Sequence, residues 1–224
     1  LHNNSNDRSW KGLNRIFLVY IIEMTFPLLK KIQFQPRLDM CVSTCLKVIC
    51  DNQFSNITIS IKQFNLWCKY EGKFGGGVPL DKLREYLTPK LTDKKIIYNE
   101  KENINIDFLY KLREDEIYPL VVFHLKDYNK WKKKTKIEVF SDDEPNYHAL
   151  IVVDIDKERQ IVKIFDPLYD KYRKRKQEEP ENEDNYDEIS FQDFYKYWTN
   201  KELIYPVIWL TKKEKVDKEQ RTLI

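Results

Sequence analysis

Cysteine is scarce in this chain, with four residues in 224. So low a number excludes a disulfide-stapled scaffold. Three of the four, Cys41, Cys45 and Cys50, also stand too close along one segment to staple distant parts of the chain. Reduced thiols in a cytosol-like compartment follow, and a cytoplasmic location is expected. Charge of one sign is lacking too: 39 basic residues against 36 acidic ones leave a net charge of +3. A balance of that kind predicts no nucleic-acid partner. Nor is there a long hydrophobic run. The stretch "IFLVYII" (16–22) stops at Glu23 and meets Pro27, well short of the ~20 residues that a membrane span requires. No basic start and small-residue cleavage site frames it as a signal peptide. The chain opens without an initiating methionine, which fits a piece of a larger protein or complex.

What is present suffices for a core. Hydrophobic residues make up 42% of the chain and aromatics 14%, so a globular domain is expected although a third of the residues are charged. The sequons at Asn3 and Asn56 carry little weight, and no internal repeat is visible. The expected organisation is an extension over 1–32, one domain over 33–212 and a polar tail over 213–224.

Periodicity sketches the elements. Residues 13–34 are apolar, ambiguous between helix and strand, and broken by Pro27. From Asp39, a candidate cap, Cys41, Cys45, Val48 and Ile49 recur on one helical face. A second helix is predicted over 61–69, capped by Ser60 and turning Ile61, Phe64 and Cys68 inward. "FGGGVP" (74–79) reads as a loop leading into a third helix from Pro79, with Leu80, Leu83 and Leu87 on one stripe. A short fourth helix falls over 107–113. Strands are then predicted over 118–125, 147–155, 160–166 and 203–210, and Ser190 caps one more helix, "FQDFYKYW". Helices first and an antiparallel sheet after make an α+β domain. Two charged stretches, 126–146 and 170–188, read as solvated insertions. The basic run "KYRKRK" in the second is half-neutralised by the acidic block beside it.

The cysteines decide the chemistry. Cys41, Cys45 and Cys50 do not have the C-x2-C spacing of zinc sites, and no histidine or further cysteine stands at ligand spacing from Cys68. No metal and no cofactor is expected. Cys45, Cys50 and Cys68 read as buried fillers. Cys41 differs by position, because the first turn of its helix lowers a thiol pKa and stabilises the thiolate nucleophile. The N–H groups there can also cradle an oxyanion, and Gln35, just before Pro36, can return a side-chain amide as a second donor.

A nucleophilic cysteine needs a base, and the base needs an orienting group. Of three histidines, His2 lies in the loose terminus and His124 inside an apolar strand, where a core or rim position is expected. His148 opens a strand from which it can reach a cleft. Strands 148–155 and 160–166, joined by "DKER" (156–159), pair so that partner numbers sum to roughly 315. His148 then faces residue 166 or 167, and the register decides whether the two share a face. Asp166 can hold the imidazole there; read alone, "DP" is a common turn.

These residues resemble the bacteriocin-processing peptidases, papain-like cysteine peptidase domains attached to peptide-exporting transporters, with stand-alone relatives. The likeness rests on "QPRLDMCVSTCL" (35–46) and "NYHALIVVDIDKERQIVKIFDP" (146–167). "PLVVFHL" (119–125), "GGGVPLDKLREYL" and "ISFQDFYKYW" (189–198) match in the same order. It covers roughly residues 33–210. The resemblance implies a papain-like fold with Cys41 as nucleophile, His148 as general base, Asp166 orienting the histidine and Gln35 lining the oxyanion hole. Two features depart from the family. Val42 stands where glycine usually follows the nucleophile, which narrows the site or alters what approaches the thiolate. The two charged stretches lengthen the connections. Transporter-linked members take a double-glycine leader, and no mark of that specificity stands in this chain.

Three functions remain open at this point. The first is a cysteine peptidase acting on a peptide or protein through a thioester. The second is another acyl-transfer enzyme on the same triad, such as a deamidase, a transglutaminase-like enzyme or an acyltransferase. The third is a peptidase-like binding module without chemistry, which Val42 keeps in view.

Overall fold

The computed structural model describes residues 26–36, 40–69, 78–124, 128, 147–168, 185–200, 203–204 and 206–213. The Asp39 cap, the glycines of 75–77, His2, the tail from 214 and most of both charged stretches lie outside the described residues.

Helix α1 (Cys41–Gln53) is the central element. Nine of its thirteen residues are buried, from Cys41 to Cys50 on more than one face. A helix apolar nearly all round packs inside a protein rather than on its rim. Beside it stand α2 (Ile61–Trp67) and a 3-10 turn (Leu80–Lys82) continuing into α3 (Leu83–Thr92); α4 (Ile106–Glu114) and α5 (Phe191–Trp198) follow later in the chain and pack elsewhere. The predicted serine caps form: Ser60 Oγ accepts from Gln63 N at 3.1 Å and Ser190 Oγ from Asp193 N at 3.2 Å. Asn105 caps α4 in the same way, accepting from Phe108 N at 3.0 Å. Ile61, Phe64, Cys68, Leu83 and Leu87 are all buried, as their spacing predicts, whereas Leu80, expected on the same stripe as Leu83 and Leu87, is half-buried in the 3-10 turn. Of the ambiguous stretch 13–34, residues 26–34 are irregular chain that buries Phe26, Leu29 and Phe34, and residues 13–25 lie outside the described residues.

The strands are β1 (Ile96–Lys101), β2 (Leu120–His124), β3 (Tyr147–Asp156), β4 (Ile161–Phe165), β5 (Asp187–Ser190) and β8 (Val207–Lys212), forming one sheet in the order β1-β8-β2-β3-β4-β5. Every pairing is antiparallel. A two-stranded ribbon of β6 (Thr199–Asn200) and β7 (Leu203–Ile204) stands apart. The predicted strand over 203–210 is therefore two pieces in two sheets. Pro206 stands between them, and proline has no N–H to continue a ladder. Strands β1 and β5 were absent from the sequence-based expectation; both are edges.

Each face of the sheet carries its own core. Ala149, Ile151, Val153 and Phe165 meet α1, α2 and α3 on one face. Leu150, Val152, Ile155, Val162 and Ile164 meet α4 and α5 on the other. Among the described residues no helix is long and apolar enough to cross a membrane.

Candidate active site

The strands β3 and β4 bring two predicted site residues together. His148 Nε2 lies 2.7 Å from Asp166 Oδ1, and the two are 1% and 0% exposed. A carboxylate oxygen can only accept, so Nε2 carries the proton and donates. The other ring nitrogen, Nδ1, then holds the lone pair of the neutral imidazole, and it is the atom able to take a proton from a thiol. Asp166 accepts two further bonds: Leu168 N donates to Oδ1 at 2.8 Å and the Tyr128 hydroxyl to Oδ2 at 3.0 Å. Its turn-forming role and its hold on the histidine thus coexist on one carboxylate. Three donors fix its orientation.

The register that allows this differs from the expected one. Beside the turn, the pairs Asp156↔Ile161, Ile155↔Val162 and Asp154↔Lys163 hold one register; beyond an irregularity between Val152 and Asp154, the pairs are Val152↔Ile164 and Ile151↔Phe165. A β-bulge therefore adds one residue to β3 at Val153. Extending the outer pairs sets Asp166 opposite Leu150, and His148, two residues further, shares that face. The contact is diagonal, within reach for long side chains, rather than directly across. On β2, Phe123 pairs with His148 and belongs to the α4/α5 core, which confirms the face.

Cys41 is the first residue of α1, as the periodicity required. The N-cap is Met40, whose side chain makes no capping bond, and the first turn holds no acidic residue. The positive end of the helix dipole is therefore not neutralised by a carboxylate in that turn. The direction of α1 follows from its two ends. Near its start, Cys45 Sγ donates to Ala149 O at 3.4 Å. At its end, Gln53 accepts from Tyr118 N at 3.3 Å and donates to Leu210 O at 3.2 Å. The helix hence runs from the end of the sheet where β3 begins toward the end where β2 begins. Four residues back from Cys45 is about 6 Å of helix; two residues back from Ala149 is about 7 Å of strand. Along the strand direction Cys41 is thus level with Tyr147, at the end of the sheet where β3 opens. On the same side, Gln35 is buried, its backbone N–H bonded to Pro167 O at 2.7 Å, one residue beyond Asp166. Phe34 packs on Phe165 with ring centroids 5.7 Å apart. The Tyr147 hydroxyl donates to Val78 O, tying the start of β3 to the segment before α3.

The remaining thiols differ from Cys41, itself buried at 6% exposure, by still fuller burial at 0%. Burial pushes the Cys45 thiol well up, and a negative charge on Cys41 four residues earlier would raise it further. Burial, with Asp51 adding to it, pushes Cys50 up as well, and burial alone lifts Cys68 to about 12. All three stay protonated fillers, as their spacing suggested. Val42 is 2% exposed and packs in the α1 core, so its side chain does not narrow a cleft. Among the described residues no group of three His, Cys, Asp or Glu is arranged to hold a metal ion.

Sequence reasoning missed Tyr128. It falls in the charged stretch 126–146, yet it is 1% exposed. Besides its bond to Asp166, its ring stacks on His148 at 5.9 Å and 22° and meets Phe123 edge-on at 5.4 Å. It covers the His148–Asp166 bond with an apolar ring while satisfying the second carboxylate oxygen. The only available signal was an aromatic four residues after the strand "LVVFH". His124, half-buried at the end of β2 and paired with Tyr147, takes the rim position expected of it.

No family model matches the sequence and no curated protein matches it. Solved structures do. A Bacillus anthracis protein, provisionally described as a C39-like peptidase, superposes over 84% of this chain and 98% of its own, with a TM-score of 0.50 and 15% identity. An identity that low speaks for the fold and not for the chemistry. The chain has an α+β fold of the papain-like, C39-like peptidase type.

Proposed function

We propose that the chain is a cysteine peptidase, with Cys41 as nucleophile, His148 as general base and acid, Asp166 as the group that orients it, and Gln35 as an oxyanion donor. The observation that carries this reading is the 2.7 Å bond from His148 Nε2 to Asp166, which leaves Nδ1 for a thiol at the start of the strand level with Cys41. Cys41 Sγ gives its proton to Nδ1, and the helix N-terminus favours the resulting thiolate. The thiolate adds to the substrate carbonyl; the oxyanion is held by the Gln35 amide and a backbone N–H in the first turn of α1. His148 returns the proton to the leaving amine and a thioester remains. Water, deprotonated by the same nitrogen, releases the acid. The peptidase unit is proposed to run over 33–212. The four cysteines, none of them in a disulfide, suit a reducing compartment.

The test is the rate of iodoacetamide labelling against pH, with the modified site read by mass. Cys41 should label rapidly well below the ~8.5 of a free thiol, and His148→Ala should abolish that advantage. An ordinary thiol profile at Cys41 would remove the nucleophile and with it the reading. Product masses then separate hydrolysis, which yields two fragments, from deamidation or acyl transfer, which shift one mass.

A further inference from the structure

Among the described residues Arg113 is the largest fully buried side chain, at 0% exposure. Among the described residues it makes no ion pair with a carboxylate. Its Nε donates to Val153 O at 2.8 Å and one terminal nitrogen donates to Pro27 O at 3.0 Å. Its guanidinium lies 3.9 Å from the Tyr118 ring centroid and 5.6 Å from that of Phe26. Asp154 and Glu116 act on it only from beyond ion-pair distance; burying a cation without a carboxylate in contact is costly, and a methionine of similar volume would fill the space. What the guanidinium holds is the carbonyl of Val153, the extra residue of the β3 bulge.

That bulge sets which way His148 points. If the register beside the turn, Asp154↔Lys163, continued without it, Ile151 would face Asp166, and His148 would lie on the opposite face of the sheet. One added residue reverses the alternation. We propose that Arg113 is a positioning residue: by holding the Val153 carbonyl it locks the bulge, and the bulge brings the His148 imidazole onto the same face as Asp166. Arg113 stands on α4, on the side of the sheet that also holds Tyr128, and its action at the site runs through the β3 backbone. The inference deepens the peptidase reading and rests on it for its catalytic consequence.

The experiment compares wild type with Arg113→Met and Arg113→Lys by two readouts. One is the proton NMR resonance of the His148 Nε2–H held by Asp166, assigned with His148→Ala. The other is the pH profile of iodoacetamide labelling at Cys41, at a temperature where circular dichroism shows folded protein. Arg113→Met should lose the resonance, and labelling near pH 7 should slow on the order of a hundredfold, the scale expected when a reacting group is misplaced by an ångström. Arg113→Lys keeps a donor and the charge over Tyr118 and should recover part of both; it carries the comparison should Arg113→Met fail to fold. A folded variant that keeps the resonance and the wild-type profile overturns the proposal. The resonance needs no substrate. A wild type that shows it but cleaves no peptide sinks the peptidase reading, and loss of the resonance in the variant still establishes the positioning role.

Discussion

At the scale of single residues, position along the helix separates the proposed chemistry from packing. Cys41 and Cys45 share one helical face, yet only Cys41 has the N-terminal turn around it. Cys45 is 0% exposed and spends its S–H on Ala149 O. Cys45→Ala should cost about 1–3 kcal/mol in urea denaturation, from a lost buried bond and a small cavity. The labelling rate of Cys41 per folded molecule should be unchanged; a lost rate at full stability would place Cys45 in the chemistry. Tyr128→Phe should do the reverse in part. It removes the donor to Asp166 Oδ2, costing about 1–3 kcal/mol, and it should also shift the pH profile of Cys41 labelling, because a less restrained carboxylate holds His148 less firmly. A stability loss with an untouched profile would make Tyr128 a packing residue only. Where Cys41, His148 and Asp166 stand in the fold was legible in the sequence because each falls at an element end that pattern can find: a first helical turn, a strand opening and an Asp-Pro. Tyr128 was not, because a lone aromatic inside a charged stretch has no period to mark it.

At the scale of elements, helices read more faithfully than edges. The caps at Ser60 and Ser190 and the inward stripes of α1, α2 and α3 follow from local chemistry. The strands β1 and β5 escaped because they close the two sides of the sheet. They carry the half-buried Asn99 and Glu100 and the exposed Lys101 and Glu188, charged and polar residues that keep an edge from pairing further and that also erase the apolar alternation. Helix α5 shows how an element supports the site without entering it. Its Phe194 and Tyr197 pack on Phe123 at 5.2 and 6.1 Å, directly beneath the His148 pair. Ser190→Ala removes its cap and should cost about 1 kcal/mol by chemical denaturation. The floor under His148 is held by several rings, so the Cys41 profile should stay as in wild type; a shifted profile would mean that α5 alone sets the histidine.

At the scale of the whole molecule, the decisive feature is long-range. Pairing of β1 with β8, and the phase that one bulge imposes on β3, are properties of segments brought together from far apart in the chain. No local pattern encodes them, which is why the expected sum of partner numbers came close while the face of each residue stayed open. The same burial that builds two cores also fixes how stability responds to pH. Cys45, Cys50 and Cys68 are all pushed up by burial, Cys68 to about 12. Tyr98, beside Glu100, and Tyr118 move the same way. In the unfolded chain a thiol releases its proton near ~8.5 and a tyrosine near ~10; in the folded chain both hold it longer. Between those values the unfolded state binds fewer protons, so stability falls as pH rises, by up to about 1.4 kcal/mol per pH unit for each such group. The contribution is complete below about pH 8 and is lost on the way to about 12. Thermal midpoints measured from pH 7 to 11 should therefore drop progressively above pH 9. Cys68→Ala, although less stable at neutral pH, should show a shallower fall over the same range. A midpoint flat to pH 11 would mean that these thiols open to solvent before the fold does, and that the α1 core is looser than its packing indicates.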